Sequence, residues 1–326
     1  MAKARVYVTR LLPAAGMDRI LAETEAVVWE GEMPPPKEEI LRQVASCEGL
    51  VCLLTDPIDA EVMDAAPHLK VIAQMAVGYD NIDIPAATER GIPVGNTPGV
   101  LTETTADMAW TLLMATARRV GDGQQYVRDG KWQTWGPMTL LGPDLYGATL
   151  GIVGMGRIGV AVARRAQGFN MRILYTNLFP VPEADLLGAS QVEMDTLLAE
   201  SDFISLHCAL TPETTHLIGA AELRKMKPGA LLINTSRGPV VDQDALTEAL
   251  QAGVIAGAGL DVTDPEPIDP NHPLVHMENV IVLPHIASAS IGTRNKMAEL
   301  TADNLLAGLR GERLPNPVNP EVYERG

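Results

Sequence analysis

Apolar residues along this chain gather in short runs, and amphipathic stretches separate the runs. In the first third the runs fall at 6–9, 26–29, 50–55, 71–76 and 93–96, each of a length that suits a buried strand. Helical periodicity lies between them, for example over 37–45 behind the prolines Pro34, Pro35 and Pro36. Strands that alternate with helices imply a parallel sheet covered on both faces. The pattern restarts at Leu150, with runs at 150–153, 172–175, 203–207, 230–234, 258–262 and 280–283. The expected fold class is therefore α/β, with two doubly wound parallel-sheet domains.

The G-N-T-P-G stretch breaks regular structure and sets a boundary near Pro98. One long helix is expected over 102–120, capped by Thr102 or Thr104, with Ala106, Ala109, Leu112, Leu113 and Ala117 on its apolar face. A final helix runs to about Leu309 with Met297, Leu300, Leu305 and Leu306, and is expected to return to the first domain. The second domain would then be inserted into the first: 1–98 plus 288–326 around 99–287, with two crossings that form a hinge and a cleft.

Residues 148–159, A-T-L-G-I-V-G-M-G-R-I-G, sharpen this picture. A strand-like run feeds glycines at 154, 156 and 159, and Ile158, Val160, Val162, Ala163 and Ala166 continue with helical spacing. Strand, tight turn and helix are the setting in which G-x-G-x-x-G binds a dinucleotide. Gly154 permits the turn, Gly156 lets the backbone approach a pyrophosphate, and Gly159 lets helix pack on strand. The helix N-terminus offers unpaired N–H groups to the phosphates. The second domain is accordingly expected to be a Rossmann domain that binds NAD or NADP.

Composition narrows the partners. A formal net charge of −16 argues against nucleic acid and against an anionic membrane surface. No apolar run approaches the roughly 20 residues that span a bilayer, and the start M-A-K-A-R-V-Y-V moves straight into a strand, so the expected compartment is the cytoplasm. Cys47, Cys52 and Cys208 show no metal spacing and read as buried small hydrophobes; no metal site is expected. Residues 131–145 hold two of the four tryptophans, Trp132 and Trp135, among prolines and glycines, and read as an irregular arm for a homodimer interface.

Three groups follow strand ends downstream: Arg237 in I-N-T-S-R-G, Asp261 and Glu266 in G-L-D-V-T-D-P-E-P, and His285 in L-P-H-I-A-S. In an open parallel sheet, ligands bind beyond the carboxyl ends of the strands, so these residues are expected to share a crevice with the fingerprint glycines. The set suits reduction of a carbonyl beside a carboxylate. His285 is the proton donor, Glu266 fixes its tautomer, Arg237 forks a carboxylate and polarises the carbonyl, and Asp261 accepts from the cofactor's carboxamide. His68, His216, His272 and His276 read as surface residues, and His207 as a shaper of the cofactor cleft. In the first domain, Q-M-A-V-G-Y-D-N places Val77 and Gly78 after a buried strand, either as a backbone nest for a carboxylate or as a simple β-turn.

The chain resembles the D-isomer-specific 2-hydroxyacid dehydrogenases from Val6 to about Leu314, most of all their glyoxylate/hydroxypyruvate reductases. N-T-P-G-V-L-T-E-T-T-A-D, K-W-Q-T-W, G-M-G-R-I-G, S-R-G-P-V-V-D-Q-D-A-L, G-L-D-V-T-D-P-E-P and N-L-L-A-G-L-R-G-E carry the likeness. It implies a flavodoxin-like substrate domain beside the Rossmann domain, and a small 2-keto or 2-hydroxy acid as substrate. It also implies that Arg237, Glu266 and His285 are catalytic, that Val77, Gly78 and Ser288 meet the substrate, and that Trp135 or Trp132 reaches the active site of a partner subunit. The cofactor-facing set is then Gly154, Met155, Gly156, Arg157, Ile158, Gly159, Thr176, Asn177, Leu178, Cys208, Ala209, Thr235, Ser236, Arg237, Asp261, His285 and Ala287. At the end of L-Y-T-N-L no carboxylate repels a 2′-phosphate and no Arg binds one, so both cofactors are expected to serve, with a lean to NADPH. Formate dehydrogenases typically pair the histidine with Gln, and Glu266 counts against that relative. Phosphite and phosphoglycerate dehydrogenases and a nucleotide-sensing corepressor are the other readings of the resemblance.

Overall fold

The computed structural model describes residues 3–324 and divides into two compact units, Met1–Leu101 with Ala289–Gly326, and Thr102–Ser288. The first division falls after Leu101 rather than Pro98, because Thr102 already opens a helix.

The first unit contains β1 (Arg5–Val8), β2 (Glu25–Val28), β3 (Gly49–Cys52), β4 (Val71–Gln74) and β5 (Val94–Gly95). All pair in parallel, in the order β2-β1-β3-β4-β5, which is the flavodoxin-like order. Every residue of β3 and β4 is buried, as expected for strands covered on both faces. The last helix, Ile291–Leu309, packs here against the helix Ala14–Glu23. The helices lie close at Gly16, where an added Cβ would lie 2.1 Å from the Ala298 carbonyl oxygen.

The second unit contains β6 (Thr149–Val153), β7 (Arg172–Thr176), β8 (Ser190–Gln191), β9 (Phe203–Leu206), β10 (Leu231–Asn234), β11 (Gly257–Leu260) and β12 (Val280–Val282). The sheet is parallel throughout, in the order β12-β11-β10-β9-β6-β7-β8. That is the Rossmann order with one further strand, and its switch point lies between β6 and β9.

Three expectations need correction. The helix expected over 102–120 is two helices, Thr102–Ala117 and Val120–Arg128. Arg119 takes a left-handed backbone (φ 49°) between them, and its Nε donates to Asp122 in the first turn of the second helix. The pattern of apolar runs misses β8, since Ser190 and Gln191 are both exposed and carry no apolar alternation. Cys47 and Cys52 are buried, but Cys208 is only half-buried because it leaves the sheet at the crevice beyond β9.

Candidate functional site

The fingerprint turn follows β6. Gly154 has φ 92°, and a Cβ there would stand 2.6 Å from the Cys208 amide nitrogen, so the turn lies against the chain leaving β9. A Cβ on Gly159 would reach within 2.3 Å of the Gly154 carbonyl oxygen. Gly156 differs, since a Cβ there meets nothing within 4 Å. Its freedom is therefore not required by protein packing and suits the approach of a ligand to the backbone. Gly156 caps the helix Arg157–Ala166, whose first N–H groups lack helical acceptors.

The remaining cofactor-facing candidates surround this turn. Met155 is buried and donates its N–H to Asn177 Oδ1 at 3.2 Å. Arg157 is exposed and Ile158 half-buried at the start of the helix, while Thr176 ends β7. Asn177 also donates to the Phe179 carbonyl, and Leu178 stands 92% exposed with no protein cover. Ala209 follows Cys208, and its carbonyl accepts from Thr214. Thr235 is buried and its hydroxyl finds no hydrogen-bond partner. An orphaned hydroxyl, an open Gly156 and a free helix N-terminus together fit a dinucleotide in this unit.

Beyond β10, β11 and β12 the chemistry-bearing residues meet. Asn234 shapes the first turn: its Oδ1 accepts from the N–H and hydroxyl of Ser236, and its Nδ2 donates to the Arg237 carbonyl. Arg237 is half-buried and donates from Nη1 to the Ser236 carbonyl. Next to it, a Cβ on Gly238 would fall 1.8 Å from the Thr263 carbonyl oxygen. This glycine lets the Arg237 loop lie directly on the loop that carries Glu266.

His285 Nδ1 lies 2.6 Å from Glu266 Oε1. A carboxylate only accepts, so Nδ1 is the donor, and Nε2 is left without a partner among the described residues. His285 itself sits in the left-handed region (φ 54°), an uncommon conformation that His tolerates better than most residues. The cause is Asp261, which is fully buried. Its Oδ1 accepts from the Ile286 N–H at 2.8 Å and its Oδ2 from the Ala287 N–H at 2.7 Å. Its carbonyl takes the His285 N–H at 2.9 Å. Burial pushes the Asp261 carboxyl up, and the two N–H groups pull it back. The sequence suggests Asp261 as acceptor for a carboxamide; the structure shows both oxygens engaged with the turn that carries His285. Ser288 follows that turn and is half-buried.

Trp135 does not join this group within its own chain. It is 80% exposed, with Trp132 and Met138 also exposed on the irregular arm. Of the other histidines, His68, His216 and His276 are exposed. His272 is half-buried, and its Nδ1 accepts the Leu274 N–H at the start of a short helix. His207 bonds Ser205 at 2.8 Å through Nε2, and burial pushes its imidazole down to about 4.

In the first unit, the turn after β4 carries Val77 and Gly78, both half-buried. The Thr97 N–H donates to the Ala76 carbonyl, Asn96 Nδ2 to the Val77 carbonyl at 2.8 Å, and Gln74 Nε2 to the Gly78 carbonyl at 3.2 Å. Sequence reasoning missed Gln74, Asn96, Asn234 and Gly238. The G-P step after Arg237 marks Gly238 locally; Asn234 and Gln74 act on residues two to four positions on, and Asn96 acts across the sheet from β5 to the turn after β4.

Residues 110–287 match the model of the D-isomer specific 2-hydroxyacid dehydrogenase NAD binding domain. The chain is similar to a glyoxylate reductase of Korarchaeum cryptofilum, 59% identical over 324 residues that cover 99% of this chain and 98% of the relative. Among solved structures it is similar to the TT0316 protein of Thermus thermophilus, with TM-score 0.92, 52% identity and coverage of 96% and 99%. An NADPH-dependent glyoxylate/hydroxypyruvate reductase of Sinorhizobium meliloti, solved with NADP and malonate, aligns with TM-score 0.88, 35% identity and 98% coverage of both chains.

Proposed function

Because this chain belongs to the D-isomer specific 2-hydroxyacid dehydrogenase family, we propose that it is a cytoplasmic, homodimeric reductase of glyoxylate and hydroxypyruvate, yielding glycolate and D-glycerate. The reading rests above all on the contact of 2.6 Å between Glu266 and His285, with the loop of Arg237 packed on that of Glu266. The relatives named glyoxylate reductase supply the substrate.

When bound, the nicotinamide supplies the hydride. The protein's own residues do the rest. His285 delivers a proton from Nε2 to the carbonyl oxygen, where charge develops. Glu266 keeps the other ring proton on Nδ1 and so holds the imidazole in the tautomer and orientation the transfer needs. Arg237 forks the substrate carboxylate and draws charge onto the carbonyl oxygen. In the first unit, Val77 and Gly78 offer backbone N–H groups to a carboxylate, and Ser288 lines the substrate pocket. The exposed Trp135 and Trp132 belong to an arm that meets a second copy of the chain, with Trp135 reaching its active site.

Gly154, Gly156 and Gly159 would hold the cofactor's phosphates, Thr176, Asn177 and Leu178 would meet its ribose, and Cys208, Ala209, Thr235, Ser236, Asp261 and Ala287 would contribute to holding the rest. Leu178 brings neither a carboxylate nor a guanidinium, and we propose dual use with a lean to NADPH. A panel of small 2-keto acids, assayed by absorbance with NADH and NADPH in parallel, tests the whole reading. The expected result is turnover of glyoxylate with both cofactors. No turnover of any 2-keto acid would overturn the function, and a preference for NADH of about a hundredfold, roughly 2.7 kcal/mol, would overturn the cofactor assignment.

A further inference from the structure

We propose that Asn96 and Gln74 are positioning residues for capture of the substrate carboxylate, because their side-chain amides aim the backbone donors after β4. The inference rests on the role assigned above to Val77 and Gly78. A peptide unit is planar and trans, so fixing one residue's carbonyl points the next residue's N–H the opposite way. Three successive carbonyls are fixed here. Ala76 accepts from the Thr97 N–H, Val77 from Asn96 Nδ2 and Gly78 from Gln74 Nε2. The N–H groups of Val77, Gly78 and Tyr79 are thereby turned away from the network, and none of them meets an acceptor among the described residues.

The gripping amides are themselves held. Gln74 is fully buried; its Oε1 accepts from the Cys52 thiol at 3.0 Å, and its Nε2 also donates to Asn81 Oδ1 at 2.6 Å. Burial pushes the Cys52 thiol well up, which keeps it a donor. Asn81 spends both amide hydrogens on the Leu53 and Asp56 carbonyls. Asn96 is buried, with its own N–H on the Asn316 carbonyl and its carbonyl accepting from Asn304. Buried amides tied at several points, as Gln74 and Asn81 are, turn little. Rigid donors lose little entropy when they meet an anion, which is how preorganisation raises affinity.

The test uses Asn96→Asp and Gln74→Glu, which keep shape and remove the donors, together with Asn96→Ala. The readouts are kcat and KM for glyoxylate, the inhibition constant of oxalate as a dead-end carboxylate, the Kd of NADPH by fluorescence, and Tm. KM and the oxalate constant are expected to rise together by about 10- to 100-fold, the scale of losing a hydrogen bond to a charged group. kcat should stay within about threefold and NADPH affinity should be unchanged, in whichever variants remain folded at assay temperature. Unchanged KM and oxalate inhibition in folded variants of both residues, or a fall in kcat alone, overturns the positioning role while leaving the function intact. A wild-type enzyme that neither turns over glyoxylate nor binds oxalate overturns the functional reading first, and this inference with it.

Discussion

The turn after β4 and the turn after β12 both leave the carboxyl end of a parallel strand, and they are gripped by opposite groups. Around Val77 and Gly78, neutral amides of Asn96 and Gln74 hold carbonyls, and the backbone N–H groups are what remains on offer. Around His285, the carboxylate of Asp261 holds the N–H groups of Ile286 and Ala287, and a side chain is what remains on offer. The first device suits binding, since backbone donors do not titrate and cannot be misplaced by a rotamer. The second suits chemistry, since an imidazole exchanges protons near neutrality. It also needs a charge in the core, and a buried carboxylate persists only when its oxygens are bonded, as those of Asp261 are.

The widest gap between the two turns should appear on removing the group that the second presents. His285→Ala should lower kcat by about 10²- to 10⁴-fold, the usual range for a general acid, while NADPH binding by fluorescence persists. Turnover close to wild type would show that the β12 turn presents nothing catalytic.

Loosening the grip rather than the group should do less. In Asp261→Asn one acceptor oxygen becomes an NH2 that faces a backbone N–H. We expect kcat to fall about 10- to 100-fold and unfolding free energy to fall by about 1–3 kcal/mol, read by stopped assays and urea titration. A variant that loses stability but keeps wild-type kcat would make Asp261 a support for the fold alone.

The smallest effect should come from β9, whose end is served by neither device. There His207 titrates at about 4, below its ordinary value of 6.5. Between those values the unfolded chain takes up a proton that the folded protein refuses, so stability falls as pH drops. The loss between pH 7 and pH 5.5 should be about 1 kcal/mol, and His207→Asn should lack that share of it. Equal pH slopes in urea titrations of the two proteins would remove His207 from the account.

The pattern of apolar runs located eleven of the twelve strands among the described residues, because strands that enter the core announce themselves as apolar stretches. β8 escaped, since Ser190 and Gln191 join the sheet through backbone pairing to Leu174 and Tyr175 and bury nothing of their own. The break at Arg119 escaped for a related reason: a left-handed arginine has no local signal like that of glycine. The places of Arg237, Glu266 and His285 beyond strand ends were legible because charged groups after apolar runs stand out. Their supports were not. Nothing near Asp261 in the sequence says that its carboxylate turns to the backbone of residues 286 and 287. Asn96 serves Val77 only because residues far apart in the chain become neighbours through β4 and β5.

Gly238 has a consequence beyond its own position. With its α-carbon resting on the Thr263 carbonyl, there is no room there for even one methyl group. The Arg237 guanidinium and the Glu266 carboxylate therefore ride on segments locked like two cog teeth, and a change that moves one segment moves the other.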